Sequence, residues 1–238
     1  MKRIVLVLAV LIFGMYGHAQ DSFLSISMGA SIPLSDYATT DKILESGYAG
    51  TNFVLNFDGS YILVPFFGIG GTFSFGSNYT DADALEDQVV DIFRELYPTF
   101  PILEDSEVDV TLGPWRYVNL MVGPQLSFPI AILQLDLRAL VGVSFVMPPD
   151  RDLSVTTPDG DYMSSQKGQL VNFGYLIGGG IRFGMRGATS IRIAADYFHT
   201  SPSLETKNEF LRDNAIEIQK YNMNLNTLHV TVGLAFNF

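Results

Sequence analysis

The sequence contains no cysteine. Disulfides, thiolate metal sites and thiol nucleophiles are therefore excluded. Histidine and tryptophan are scarce, with three and one. Basic residues are outnumbered, 14 Lys+Arg against 25 Asp+Glu, for a formal charge of −11. That balance argues against nucleic acid as a partner. Beyond residue 20 no stretch approaches the roughly 18 consecutive apolar residues of a transmembrane helix. If such a chain enters a bilayer, it must do so as a closed barrel, because lipid leaves every backbone polar group to be satisfied within the protein.

The first residues have a different character. Lys2 and Arg3 precede an apolar run from Ile4 to Met15, and Gly17-His18-Ala19 supplies small residues at a cleavage position. This pattern predicts a secretory signal peptide over 1–19, cut after Ala19 or Gln20, and one domain over 20–238. Cleavage would remove two basic and no acidic residues, taking the formal charge from −11 to −13. No Cys follows the run, so lipid attachment there is not expected. No linker or change of composition divides the remainder, and no further domain is expected after Phe238.

The rest alternates with period two. At the C-terminus Val230, Val232, Leu234, Phe236 and Phe238 share one face, and His229, Thr231, Gly233, Ala235 and Asn237 the other. The same pattern predicts eight strands: Phe23–Pro33, Ala49–Tyr61, Phe66–Phe75, Trp115–Phe128, Leu133–Phe145, Val171–Phe183, Thr189–Thr200 and Tyr221–Phe238. Each is as long as a tilted membrane strand needs, about 9–11 residues. The gaps alternate. Ile62–Pro65, Pro129–Ile132 and Gly184–Ala188 are short, whereas Leu34–Tyr48, Gly76–Pro114, Val146–Leu170 and Ser201–Lys220 are long. Short turns on the periplasmic side and long loops outside are what an up-and-down barrel with both termini in the periplasm requires.

A soluble barrel also alternates, and charge placement separates the two. Lys42, Lys167, Lys207 and Lys220 all fall in long gaps. Within the strands the polar faces are mostly Gly, Ser, Ala, Asn and Gln, too poor in charge for a water-facing exterior. Aromatics gather near strand ends, with Tyr61, Phe66, Phe128, Phe183 and Phe238 at one end and Phe75, Trp115, Phe145, Phe173, Tyr197 and Tyr221 at the other. These predict the two interfacial girdles of a membrane barrel. The expected fold is all-β: an eight-stranded antiparallel up-and-down transmembrane barrel with long extracellular loops. Gly17-His18-Ala19-Gln20, the strand–turn–strand Gly123-Pro-Gln-Leu-Ser-Phe-Pro-Ile130 and the terminal Phe238 complete a layout that resembles the eight-stranded outer-membrane barrels of Bacteroidota described as PorT-like. The resemblance covers residues 20–238 and is architectural. It implies a fold and a Gram-negative outer-membrane location more than an activity.

Three constellations invite chemistry. Asp58, Asp136, Arg138, Arg182, Arg192 and Asp196 share the polar faces and balance in charge. In a low-dielectric lumen such groups must pair. A structural plug is the primary expectation, and a charged constriction in a narrow pore, kept open by Gly174, Gly178, Gly180 and Gly233, the alternative. In the second long gap Thr80-Asp81-Ala82-Asp83 resembles a capping box, and Leu85, Val89, Ile92, Phe93 and Leu96 follow at helical spacing up to Pro98. The same gap is acidic, with Asp81, Asp83, Glu86, Asp87, Asp91, Glu95, Glu104, Asp105, Glu107 and Asp109 against Arg94. It reads as a solvated face, or as a surface bridged by divalent cations to lipopolysaccharide, and lacks the Gly and distal Glu of a calcium loop. Lipid A-modifying barrels use a Ser or His near the rim. Here His199 beside Thr200 and Ser201 is the candidate, with Ser164 and Ser165 in the third loop, while His229 reads as a structural lumen residue.

No cofactor, metal or catalytic residue is assigned. The expected protein is a small non-enzymatic outer-membrane barrel, an envelope structural or surface-binding protein or an accessory of secretion or assembly. A narrow pore and a lipid A-modifying enzyme are the alternatives. Expected partners are outer-membrane lipid and lipopolysaccharide, an envelope or secretion protein, and the barrel assembly machinery, for which Leu234, Phe236 and Phe238 would be the signal.

Overall fold

The computed structural model describes residues 22–41, 46–96, 108–157, 160–166, 170–184, 188–210 and 215–238. The expected signal peptide lies outside them. Strand β1 (Phe23–Leu34) leads through a 3-10 turn (Ser35–Tyr37) and the short β2 (Ala49–Gly50) to β3 (Asn52–Val64) and β4 (Phe67–Thr80). Helix α1 (Ala82–Leu96) and β5 (Val108–Leu112) precede β6 (Trp115–Ile130) and β7 (Leu133–Met147). A hairpin of β8 (Arg151–Thr157) and β9 (Gly160–Gln166) separates β7 from β10 (Leu170–Phe183) and β11 (Thr189–Thr200). A second hairpin, β12 (Ser203–Phe210) and β13 (Ala215–Asn222), precedes β14 (Leu225–Asn237).

Eight of these strands close a ring. β1, β3, β4, β6, β7, β10, β11 and β14 pair in chain order, always antiparallel, and β14 returns to β1 over the whole length of β1. Closure leaves no edge and satisfies the backbone within the wall. Followed through cross-strand partners, Gly68 leads to Gln125, Arg138, Gly178, Asp196, His229, Ser31 and finally Asn52. One circuit thus climbs from the short-turn end of β4 to the long-loop end of β3, the strand tilt that barrel closure imposes.

The period-two pattern places the faces as expected. Leu24, Ile26 and Met28 of β1 are 59%, 44% and 64% exposed, while Ser25, Ser27 and Ser31 are buried. The apolar exterior continues through Phe57, Phe73, Leu120, Val143, Ile177, Ile193, Val232 and Phe236. An apolar band of this extent belongs in lipid rather than water. Phe66 holds a left-handed φ of 69° in the β3–β4 turn and stacks on Phe128 at 5.7 Å, so the turn carries part of the short-turn aromatic belt.

Three sequence expectations need correction. Trp115 is not an interfacial girdle residue: it has inward parity, is 3% exposed and donates its indole N–H to Gly47 O at 2.9 Å. Tyr221 belongs to β13 and packs against the buried core, because the last barrel strand begins only at Leu225. Finally, the long gaps contain strands of their own. β13, β12, β9, β8 and β5 form a five-stranded sheet in that order at the long-loop end.

Candidate functional site

The lumen brings charges of both signs together, and the six expected residues meet there. Asp136 and Arg138, two residues apart on β7, project inward together. Arg182 lies on β10, and Arg192 and Asp196 lie on β11. Asp58 comes from β3 on the opposite wall. Arg138 grips Asp196 through two bonds, Nε to Oδ1 at 2.8 Å and Nη2 to Oδ2 at 2.7 Å, and its Nη1 reaches Asp58 at 2.7 Å. Arg192 donates to the other Asp58 oxygen at 2.7 Å. Asp58 also accepts from Thr72 at 2.6 Å. Bidentate, charge-assisted geometry of this kind is what a buried pair needs to offset desolvation.

Nearer the short turns a second group forms. Arg182 clasps Asp136 through Nε at 2.8 Å and Nη2 at 2.9 Å, and its donors also reach Ser127 Oγ at 2.9 Å and Asn237 Oδ1 at 2.7 Å. Ser127 in turn donates to Asp136. The two groups are joined by Phe23, whose buried ring lies 4.1 Å from the Arg182 guanidinium and 5.4 Å from that of Arg192. All six charged residues are at most 4% exposed.

The inward glycines explain how such large groups fit. Gly178 stands between Arg138 on one neighbouring strand and Asp196 on the other. A Cβ there would collide with Asp196 Oδ1 and with the β11 backbone. A Cβ at Gly76 would collide with Cζ and the hydroxyl of Tyr117, and one at Gly174 would lie 3.1 Å from Phe198 and 3.2 Å from Met121. At these positions the absent side chains make room for neighbouring side chains. Around Gly174 and Gly178 the space on the inner wall is taken by Phe198, Met121 and Asp196.

Toward the long loops the lumen changes chemistry. Tyr117, Met121, Leu140, Val146, Leu176, Phe198 and Leu225 point inward and pack into one buried apolar layer. The rings of Tyr117, Phe198 and His229 form a triangle, with Tyr117 5.8 Å from Phe198 and 5.7 Å from His229, Phe198 6.0 Å from His229, and Tyr117 nearly parallel to the imidazole. Its hydroxyl is 2.7 Å from Ser31 Oγ and 2.8 Å from His229 Nε2, which also contacts Thr227 Oγ1 at 2.9 Å. His229 is therefore the lumen histidine expected from its parity. Above this layer Tyr37 meets Trp115 edge-on at 5.3 Å and donates to Asn78 Oδ1 at 3.3 Å. Asn78 fastens the loop through its amide to Ser31 O and Gly50 O. Burial pushes the Tyr37 phenol well above its usual range, and the neighbouring Tyr117 adds to the effect.

The expected loop helix is present. Asp81 Oδ1 accepts the Ala84 N–H at 3.1 Å and caps it, and Leu85 and Val89 are fully buried on its inner face. Tyr48 donates to Gln88 and ties the helix to the preceding loop. Asp83, Asp87, Asp91 and Glu95 face solvent, and among the described residues no group is arranged to hold a metal. Glu104, Asp105 and Glu107 lie outside the described residues, as do the side chains of Asp109, Ser164 and Ser165.

His199 sits on the outward face at the long-loop end. Its Nδ1 is 2.6 Å from Asn226 Oδ1, which also accepts from Tyr197 at 3.0 Å, and its ring meets Tyr175 at 4.9 Å. Thr200 points inward and donates to Phe173 O at 3.0 Å, so it is turned away from the imidazole. Leu234, Phe236 and Phe238 are outward and about half exposed.

No protein-family model matches the chain, and no curated protein sequence does. Among solved structures, a major outer membrane protein of Thermus thermophilus is 9% identical, covering 93% of this chain and 100% of its own, with a TM-score of 0.47. Ail, the attachment invasion locus protein of Yersinia pestis, is 13% identical over 91% of this chain and 99% of its own, at 0.37. Neisserial surface protein A is 9% identical over 92% and 97%, also at 0.37. At these scores the class rests on the ring pairing itself: a closed eight-stranded antiparallel transmembrane β-barrel.

Proposed function

We propose that this chain is a sealed, non-enzymatic outer-membrane barrel that acts through its outer surface, as a structural or surface-binding component of the envelope of a Gram-negative bacterium. The observation that carries this reading is the double closure of the lumen. An ionic layer of three Asp and three Arg spans the barrel, with an apolar layer from Tyr117 to Leu225 above it and the Tyr37–Trp115 lid above that. With no through path for ions in this reading, function falls to what the barrel carries outside: helix α1 and the five-stranded sheet.

In this reading the short turns and both termini of the barrel face the periplasm, and the exterior meets lipid and lipopolysaccharide. Leu234, Phe236 and Phe238 serve as the signal for the assembly machinery. The PorT-like resemblance of the sequence supports a Bacteroidota source and a role beside a secretion or assembly partner. The rim cluster of His199, Asn226 and the two tyrosines supports an interfacial anchor, since phenol and imidazole suit the headgroup level.

The test is single-channel recording on the purified barrel in planar bilayers, after confirming heat-modifiable migration on a gel. Silence at all applied voltages is expected. A steady ion current from folded protein overturns the sealed reading and promotes the pore.

A further inference from the structure

One row of the inner wall is built almost entirely of serine and asparagine. Traced through cross-strand partners from Arg192 on β11, it passes Gly233, Ser27, Asn56, Ser74, Asn119, Ser144 and Asn172. Arg192 is itself paired with Arg182 on β10, and Asn172 lies on that same strand near its opposite end. The row therefore winds nearly once around the lumen while rising from the ionic layer to the long-loop end.

Its side chains are deeply buried: Ser27, Asn56, Ser74, Asn119 and Ser144 are each at most 2% exposed. Yet Ser27 Oγ, both polar atoms of the Asn56 amide, Ser74 Oγ, Asn119 Nδ2 and Asn172 Nδ2 have no partner in the protein. At the foot of the row, Arg192 Nε and Nη2 have none either. A direct bond within it joins Ser144 Oγ to Asn119 Oδ1 at 2.7 Å. Buried polar groups rarely go unpaired, and a connected run of them calls for a ligand that both donates and accepts. Directly opposed residues on paired strands have Cβ atoms about 5 Å apart, the spacing a single bridging water spans.

We propose that this row binds a single file of water that enters at Asn172 and ends blind at the free edge of the Arg192 guanidinium. Asn172, half-buried, is the entrance. The foot is closed by the clasp of Arg182 on Asp136 and Asn237. The file hydrates a charge that the aspartates leave half unsatisfied, and it does so without opening a route for ions. The proposal is independent of the sealed-barrel reading, because a dry barrel would be equally silent to ions.

Proton-detected solid-state NMR on the labelled barrel in lipid bilayers tests it. Water cross-peaks are expected at the side-chain amides of Asn56, Asn119 and Asn172. Their absence from the wild-type protein overturns the proposal. Ser74→Val interrupts the row between Asn56 and Asn119. The Asn56 cross-peak should then be lost while those of Asn119 and Asn172 persist. Survival of the Asn56 signal shows that its water does not arrive along the row and refutes the blind file. If Ser74→Val does not fold, Asn119→Leu breaks the row one strand nearer the entrance and carries the same expectation for Asn56.

Discussion

Arg182→Ala removes the centre of the ionic layer near the short turns. The guanidinium is fully buried, makes two bonds to Asp136, one each to Ser127 and Asn237, and lies over the Phe23 ring. Its loss leaves the Asp136 carboxylate buried with Ser127 beside it and no facing cation. Breaking a buried pair by removing one partner costs about 3–5 kcal/mol. At about 1.4 kcal/mol per tenfold, the ratio of folded to unfolded barrel should fall by roughly two to four orders of magnitude. Urea titration in lipid vesicles can follow the change through Trp115, the only tryptophan in the chain and one buried beneath the loops. The double variant Arg182→Met with Asp136→Leu should recover most of the loss, because it removes both charges and refills the space. The apolar layer is untouched in either variant, so neither should conduct ions. The reasoning fails if Arg182→Ala costs less than about 1 kcal/mol, the scale of a surface ion pair. It fails equally if a steady current accompanies the substitution.

The lipid face offers a second test: Val143→Arg and Ile193→Arg, on outward and exposed positions, should each cost about 2–4 kcal/mol if near the bilayer midplane, and neutral behaviour at both would invert the assigned faces. Gly178→Val should displace the Arg138–Asp196 clasp and strongly reduce the yield of heat-modifiable folded barrel, whereas a normal yield would mean that the close approach at Gly178 is relaxed. Tyr37 carries a pH expectation. Its folded-state phenol is raised, so its contribution is complete below the unfolded value of about 10 and is lost as pH rises through the folded one. The stability difference between wild type and Tyr37→Phe should therefore shrink or reverse between about pH 10 and 12, and a constant difference across that range would rule out a buried neutral phenol.

The barrel was legible because alternation is a local signal. Leu24, Ile26 and Met28 against Ser25 and Ser27 can be read without knowing what lies beside them. The lumen charges followed from parity alone, although Asp58 could not be assigned to particular partners until β3 was seen facing β7 and β11. The apolar lumen layer stayed hidden for the opposite reason. Leu140 sits between Ala139 and Val141, and Leu176 between Tyr175 and Ile177, so the inward residue vanishes into a continuous apolar run. Trp115 misled through its place at a strand end, where an aromatic suggests an interface, while its parity with Tyr117 and Asn119 pointed inward. The five-stranded sheet was not legible: Ser203–Phe210 reads Ser-Leu-Glu-Thr-Lys-Asn-Glu-Phe, with little alternation, and its pairing with Tyr162–Ser165 joins two different loops.

The partners in the ionic layer come from widely separated strands, and this bears on how the wall can enter a membrane. Asp58 is in the second strand of the ring, and its two arginines are in the fifth and seventh. A nascent sheet that inserted hairpin by hairpin would carry Arg138 or Arg192 into hydrocarbon long before Asp58 stood opposite, at a cost that rises with depth. Charge neutralisation requires the early and late strands to face each other, which happens only when the sheet curls into a ring. The salt bridges therefore couple insertion to closure: half a barrel has no stable place in the bilayer, and burial of the strands and completion of the ring become one cooperative event.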